Sequence, residues 1–145
     1  MKRLILSVSL VVGLVAVVPA QASNSTYHGS NADGGALTLV AQHRHGQNRT
    51  VHPFLTGTVV LHCAGGDIRN SYNTNQVMRV SKKERFSGTF TPPIDEGSQG
   101  TTTIQVAGRF THHEHKAVGT LRAHLTGTSF GDCDSGIVDW GTKLE

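Results

Sequence analysis

From residue 36 onward the chain sets apolar and polar side chains in short alternating runs. Leu37, Leu39 and Ala41 alternate with Thr38, Val40 and Gln42. Val59, Leu61 and Cys63 alternate with Val60 and His62, and Phe86, Gly88 and Phe90 with Ser87 and Thr89. Side chains on a strand point to opposite faces in turn, so a period of two marks strands with one buried face. Clusters of Gly, Pro, Asn and Ser bound each run and supply the turns. After the first 22 residues, no window of 11 or more carries a helical stripe. The pattern predicts an all-β chain, a single antiparallel β-sandwich or small barrel of about 7–8 short strands.

One stretch specifies its pairing in detail. With strands at 102–110 and 117–125 joined by Thr111-His112-His113-Glu114-His115-Lys116, Phe110 falls opposite Ala117. Gly108 then faces Gly119, Val106 faces Leu121, Ile104 faces Ala123 and Thr102 faces Leu125. The other face pairs Arg109 with Val118, Ala107 with Thr120, Gln105 with Arg122 and Thr103 with His124. A slip of one residue would mix the two faces, so the register is determined by burial. The facing glycines leave a gap for a bulky group from the opposite sheet, and Trp140 is the expected filler. It shares a face with Val138 on a last strand from about Gly136 to Thr142.

The beginning of the chain reads as an address. Met1-Lys2-Arg3 is basic, Leu4 to Val18 is apolar but for Ser7, Ser9 and Gly13, and Ala20-Gln21-Ala22 follows Pro19. That order predicts a signal peptide over 1–22, because the run falls short of the roughly 20 residues of a spanning helix. The expected organisation is then a flexible polar segment at 23–35, a sandwich domain at 36–143, and Leu144-Glu145 with the look of a vector-derived tail. The expected location is outside the cell, with no membrane span once the leader is cleaved.

Charge changes less than the pI of about 9.1 suggests. The sequence holds 13 Lys and Arg against 10 Asp and Glu, and loss of Lys2 and Arg3 leaves 11 against 10. The longest basic cluster is Lys82-Lys83 with Arg85, interrupted by Glu84, so no stripe of the kind that binds nucleic acid is visible along the chain. A protein, a glycan or a cell-envelope component is the expected kind of partner. Two cysteines, Cys63 and Cys133, in an exported chain predict a disulfide, with two free thiols as the alternative.

Several segments together resemble a known group. Thr56-Gly57-Thr58 through Cys63, Arg85-Phe86-Ser87-Gly88, Val106-Ala107-Gly108-Arg109-Phe110, Val118-Gly119-Thr120-Leu121 and Cys133-Asp134-Ser135-Gly136-Ile137-Val138-Asp139-Trp140 look like small secreted β-sandwich proteins of actinobacteria. The resemblance covers roughly residues 36–143, and its motifs are structural: glycines for close approach, two cysteines for a bridge, a tryptophan for the core. It implies a fold and secretion, and no particular activity. The chain departs from the group at the hairpin turn, usually short and bland, which here holds three histidines.

Histidine is the chemical excess, nine in all. His43 and His45 stand two apart on a predicted strand, and His112, His113 and His115 surround Glu114 at the hairpin turn, while His28, His52, His62 and His124 are dispersed. Imidazole suits copper and zinc, which makes His43, His45, His112, His113 and His115 candidate metal ligands; solvated turn histidines are the plainer reading. The H-x-H pair and the cysteines also fit Cu/Zn superoxide dismutase, but that family's further ligands and glycine-rich signature are missing. Gly127-Thr128-Ser129-Phe130-Gly131 matches the G-x-S-x-G pattern without the strand–turn–helix setting or the later histidine that a hydrolase needs. Asp95-Glu96 and Asp132/Asp134 lie in glycine-rich loops, a weak basis for paired-carboxylate chemistry. Asn24-Ser25-Thr26 and Asn48-Arg49-Thr50 match the glycosylation sequon.

No catalytic set is complete. Three classes remain: a secreted non-catalytic module that binds or supports something at the cell surface, an extracellular copper- or zinc-binding protein, and a small enzyme as the least supported. The first is the expected function, with no cofactor.

Overall fold

A computed structural model describes residues 23–44, 47–54, 58–72, 76–92 and 100–145. The expected signal peptide at 1–22, His45 and Asp95-Glu96 lie outside the described residues. Eleven antiparallel strands are present among the described residues: β1 (Ser23–Asn31), β2 (Ala36–Arg44), β3 (Gln47–Phe54), β4 (Thr58–Cys63), β5 (Gly66–Ser71), β6 (Met78–Arg79), β7 (Arg85–Phe90), β8 (Thr101–Thr111), β9 (Lys116–Thr128), β10 (Gly131–Asp134) and β11 (Val138–Leu144). The all-β antiparallel class holds, with more strands than the seven or eight expected. Short polar strands such as β5, with its GDIRNS sequence and mostly exposed residues, carry too little apolar alternation to announce themselves.

All eleven belong to one hydrogen-bonded sheet that branches at β9. One edge of β9 takes β8 along almost its whole length. Its other edge takes β11 against residues 116–121 and β10 against 124–128, end to end. From β11 the sheet continues through β1, β2 and β3 to β6, and from β10 through β4 to β5. The first arm returns toward β7, because β6 and β7 are joined by a tight turn closed by Ser81 N–H donating to the Arg85 carbonyl at 2.8 Å. The curled sheet encloses a single core in which Tyr27, Leu39, Leu61, Ile104, Leu121, Val51 and Val59 are fully buried.

The segment at 23–35 is not a flexible lead-in. Its first nine residues form β1, paired to β11 on one side and β2 on the other, with Tyr27 and Asn31 buried. The composition misleads because small polar residues pack well where neighbouring backbones come close. A Cβ on Gly29 would run into the backbone of Gly141 and Thr142. Asn31 serves as a structural hub, its carboxamide oxygen accepting from Gly35 N–H at 2.8 Å. At the other end Leu144 continues β11 opposite Tyr27, and Glu145 N–H donates to the Thr26 carbonyl at 3.1 Å.

The 102–125 hairpin forms in the predicted register, residue for residue, and extends by Thr101–Thr126 and Thr111–Lys116 at its ends. Trp140 does fill the space over Gly108 and Gly119, but from the same sheet. It pairs with Gly119, Gly119 with Gly108, and Gly108 with Phe86, so one row across four strands reads Trp–Gly–Gly–Phe. The indole lies over both glycines and stacks on Phe86 at 6.1 Å between centroids. Cys63 and Cys133 pair directly across β4 and β10 and form a disulfide, their Cα atoms 4.2 Å apart.

Candidate functional site

Directly opposed residues in an antiparallel sheet share a face, so the register defines the outer surface of β7, β8, β9 and β11. Ser87, Ala107, Thr120 and Asp139 form one row across these strands, and Arg85, Arg109, Val118 and Gly141 the next. Ala107, Val118 and Thr120 are small, and Gly108 and Gly119 between them leave Trp140 at the floor, so the surface opens into a furrow. One part, about 460 Å³, is bordered by Arg85, Ala107, Arg109, Val118, Thr120 and Asp139. Ala107 and Thr120 also border a second part of about 370 Å³, which runs on past Ser87, Thr89, Gln105 and Arg122 to Ile137. Ile137 is 76% exposed, the most open large apolar side chain among the described residues.

The electrostatics differ between the two ends. Arg122 reaches Asp134 through Nε at 3.0 Å and Nη2 at 2.7 Å, and Gly136 N–H donates to the same carboxylate. That guanidinium holds the Asp134 carboxyl below the usual carboxylate range, against a smaller opposing effect of burial. Arg85 and Arg109 stand directly opposite each other with no acidic partner among the described residues. Like charges placed this way weaken a sheet.

Of the predicted histidine clusters, His45 lies outside the described residues, and His43 is approached by Glu114 of the hairpin turn. His112, His113 and Glu114 all have positive φ, at 53°, 52° and 72°, a left-handed stretch that costs on the order of 1 kcal/mol per non-glycine residue. The turn is held by His115 N–H to the His112 carbonyl, Tyr27 hydroxyl to the Glu114 carbonyl at 2.7 Å, and Leu144 N–H to the His115 carbonyl. It carries the Glu114 carboxylate back over the end of the core to 3.9 Å from His43 Nδ1. The histidines of the turn, His112, His113 and His115, stay exposed. Among the described residues no three His, Cys, Asp or Glu side chains are grouped closely enough to hold a metal.

The dispersed histidines have ordinary surface roles. His62 meets Asp67 at 2.8 Å, and His28 meets Thr38 and Glu145. The G-x-S-x-G segment is the β9–β10 turn, where Phe130 N–H donates to the Thr128 hydroxyl, that hydroxyl donates to the Gly131 carbonyl, and Ser129 is exposed. The furrow has no counterpart among the sequence motifs. Its floor is implicit in the hairpin register, but its walls depend on β7 and β11, whose registers the alternation of side chains leaves open.

Against descriptions of protein families, curated proteins and solved structures, the chain finds no match.

Proposed function

We propose that the protein is a secreted, non-catalytic binding module that works at the cell surface or outside the cell. The observation that carries this reading is the furrow on the outer face of β7, β8, β9 and β11, apolar over Ala107, Val118 and Trp140 at one end, lined by Ser87, Thr89, Gln105 and Thr120 at the other, and bordered by Arg85 and Arg109, which have no acidic partner among the described residues. Sites of this form combine small contact side chains with a few charged groups that orient the ligand. The disulfide between β4 and β10 suits an oxidising compartment. No helix among the described residues is long and apolar enough to cross a membrane. The likeness to small secreted actinobacterial β-sandwich proteins, carried by the glycine, cysteine and tryptophan motifs, supports the same reading.

Amide chemical-shift mapping with a panel of neutral and acidic oligosaccharides and peptides tests it. Perturbations at residues 85–89, 105–109, 118–122 and 137–139 are expected. Shifts confined to other faces, or none with any ligand class, would sink the proposal.

A second reading, binding of copper or zinc at the hairpin tip, has one observation in its favour: the approach of Glu114 to His43. Calorimetric titration separates the two. Binding weaker than about 100 μM that survives His113→Ala and His115→Ala would remove the metal reading.

A further inference from the structure

The outer face carries more charge than its furrow alone. One row beyond Arg85 and Arg109, Lys116 of β9 is paired with Lys143 of β11. Lys116 is also paired with Thr111, two residues along β8 from Arg109 and on the same face. Four adjacent strands, β7, β8, β9 and β11, therefore each present one cation, in the order Arg85, Arg109, Lys116, Lys143. None of the four has an acidic partner among the described residues. Asp139 stands across the furrow, and Glu145 is engaged with His28.

The arrangement contains two like-charge pairs in direct register, Arg85–Arg109 and Lys116–Lys143. Each disfavours the folded sheet, so they are an odd choice for a surface whose only role is to be solvated. Strands lie about 4.8 Å apart and successive same-face residues about 7 Å apart, so the four cations form a line roughly 15 Å long across the strands. Beside the line, the furrow offers Ser87, Thr89, Gln105 and Thr120, groups that exchange hydrogen bonds with hydroxyls.

We infer that this face binds an acidic polysaccharide laid across the strands, its carboxylates or sulfates on the cation line and its hydroxyls over the furrow. The inference rests on the proposed binding role and specifies its ligand. A single-stranded nucleic acid would call for several exposed aromatic side chains interleaved with the cations, and the aromatic that borders the furrow, Trp140, is buried beneath Gly108 and Gly119. An anionic bilayer would call for an apolar wedge beside the basic residues, whereas the exposed Ile137 stands at the far end of the furrow, beyond Ser87, Thr89 and Gln105 and six residues from Lys143.

The test uses the full mature chain with polygalacturonate and chondroitin sulfate as acidic probes, and dextran, oligo-dT and phosphatidylglycerol vesicles as comparisons. Binding is measured by calorimetry at low and high NaCl. At least one acidic polysaccharide should bind, weaken with salt, and bind at least tenfold more weakly to Arg85→Gln/Arg109→Gln and to Lys116→Gln/Lys143→Gln. Melting curves of both variants should match or exceed wild type, since each relieves a like-charge pair. Undiminished binding by folded variants, or tighter binding of oligo-dT or vesicles, overturns the inference. Equal binding of dextran with shifts in the furrow overturns the acidic ligand while leaving the binding role standing. No binding of any probe and no shifts overturn both.

Discussion

Gly119→Ala isolates the contact between Trp140 and the β8–β9 glycines. Neither Gly119 nor Gly108 has a positive φ, so alanine is conformationally acceptable, and restriction of the unfolded chain alone would stabilise by about 0.4–1 kcal/mol. The native state opposes that gain. A Cβ on Gly119 would overlap the Ala107 carbonyl oxygen and lie 2.5 Å from Trp140 Cζ2 and 2.7 Å from Gly108 Cα. Two of these obstacles are backbone and the third is a buried ring, so relief requires the sheet itself to move. Overpacking of this kind costs roughly 1–3 kcal/mol, and rigid obstacles place Gly119→Ala near 3. A domain of this size loses about 3–5 °C of melting temperature per kcal/mol, so a fall of about 10 °C is expected by circular dichroism. For Gly108→Ala the nearest obstacles are ring atoms, Phe86 Cζ and Trp140 Cη2 and Cζ2, each at 2.6 Å. It should cost about 2 kcal/mol. Combined with Trp140→Leu it should cost at least about 1 kcal/mol less than the sum of the two single changes. Gly141→Ala is the control, since only Val118 Cγ1 at 3.9 Å lies near its Cβ position. It should stay within about 0.5 kcal/mol of wild type. If Gly119→Ala melts with Gly141→Ala, or the Gly108/Trp140 changes simply add, the row is not packed as described.

Replacing both Cys63 and Cys133 by serine opens a loop of 70 residues. It should lower stability by roughly 4 kcal/mol in urea titrations on the chain-entropy account. Asp134 contributes above the usual carboxylate range, because its folded pKa is depressed chiefly by Arg122, and this contribution is lost as the pH falls through the folded value. Asp134→Asn should therefore destabilise at pH 7 and flatten the fall in melting temperature on acidification; an unchanged acid profile would refute the pairing. Rewriting His113-Glu114 as Asn-Gly suits two left-handed positions and should raise stability by about 1 kcal/mol. A loss instead would mean that the Glu114–His43 approach outweighs the backbone cost.

The hairpin is legible in the sequence because burial on one face and polarity on the other admit a single register. The disulfide is legible from two cysteines behind an N-terminal stretch that reads as an export signal. β1 is not, since Ser, Asn, Thr and Gly dominate it and only Tyr27 and Asn31 turn inward. Alternation leads Trp140 to the right glycines and the wrong geometry, because it says which face a residue takes and not which strand stands beside it. The cation line meets the same obstacle. Arg85, Arg109, Lys116 and Lys143 are scattered along the chain, and only three registers taken together collect them.

The position of β11 has a consequence for the order in which the fold can form. The β1–β2–β3 arm meets β9 only through this last strand, so its inner edge stays unsatisfied until residues 138–144 have been made and inserted. Hairpins such as β8–β9 can form as they emerge, whereas the pairing of β1 with β11 joins the two ends of the sheet's sequence and is the slow kind of contact. Closure of the sheet is therefore set by the arrival of residues 138–144, and strands made long before them wait without their shared partner.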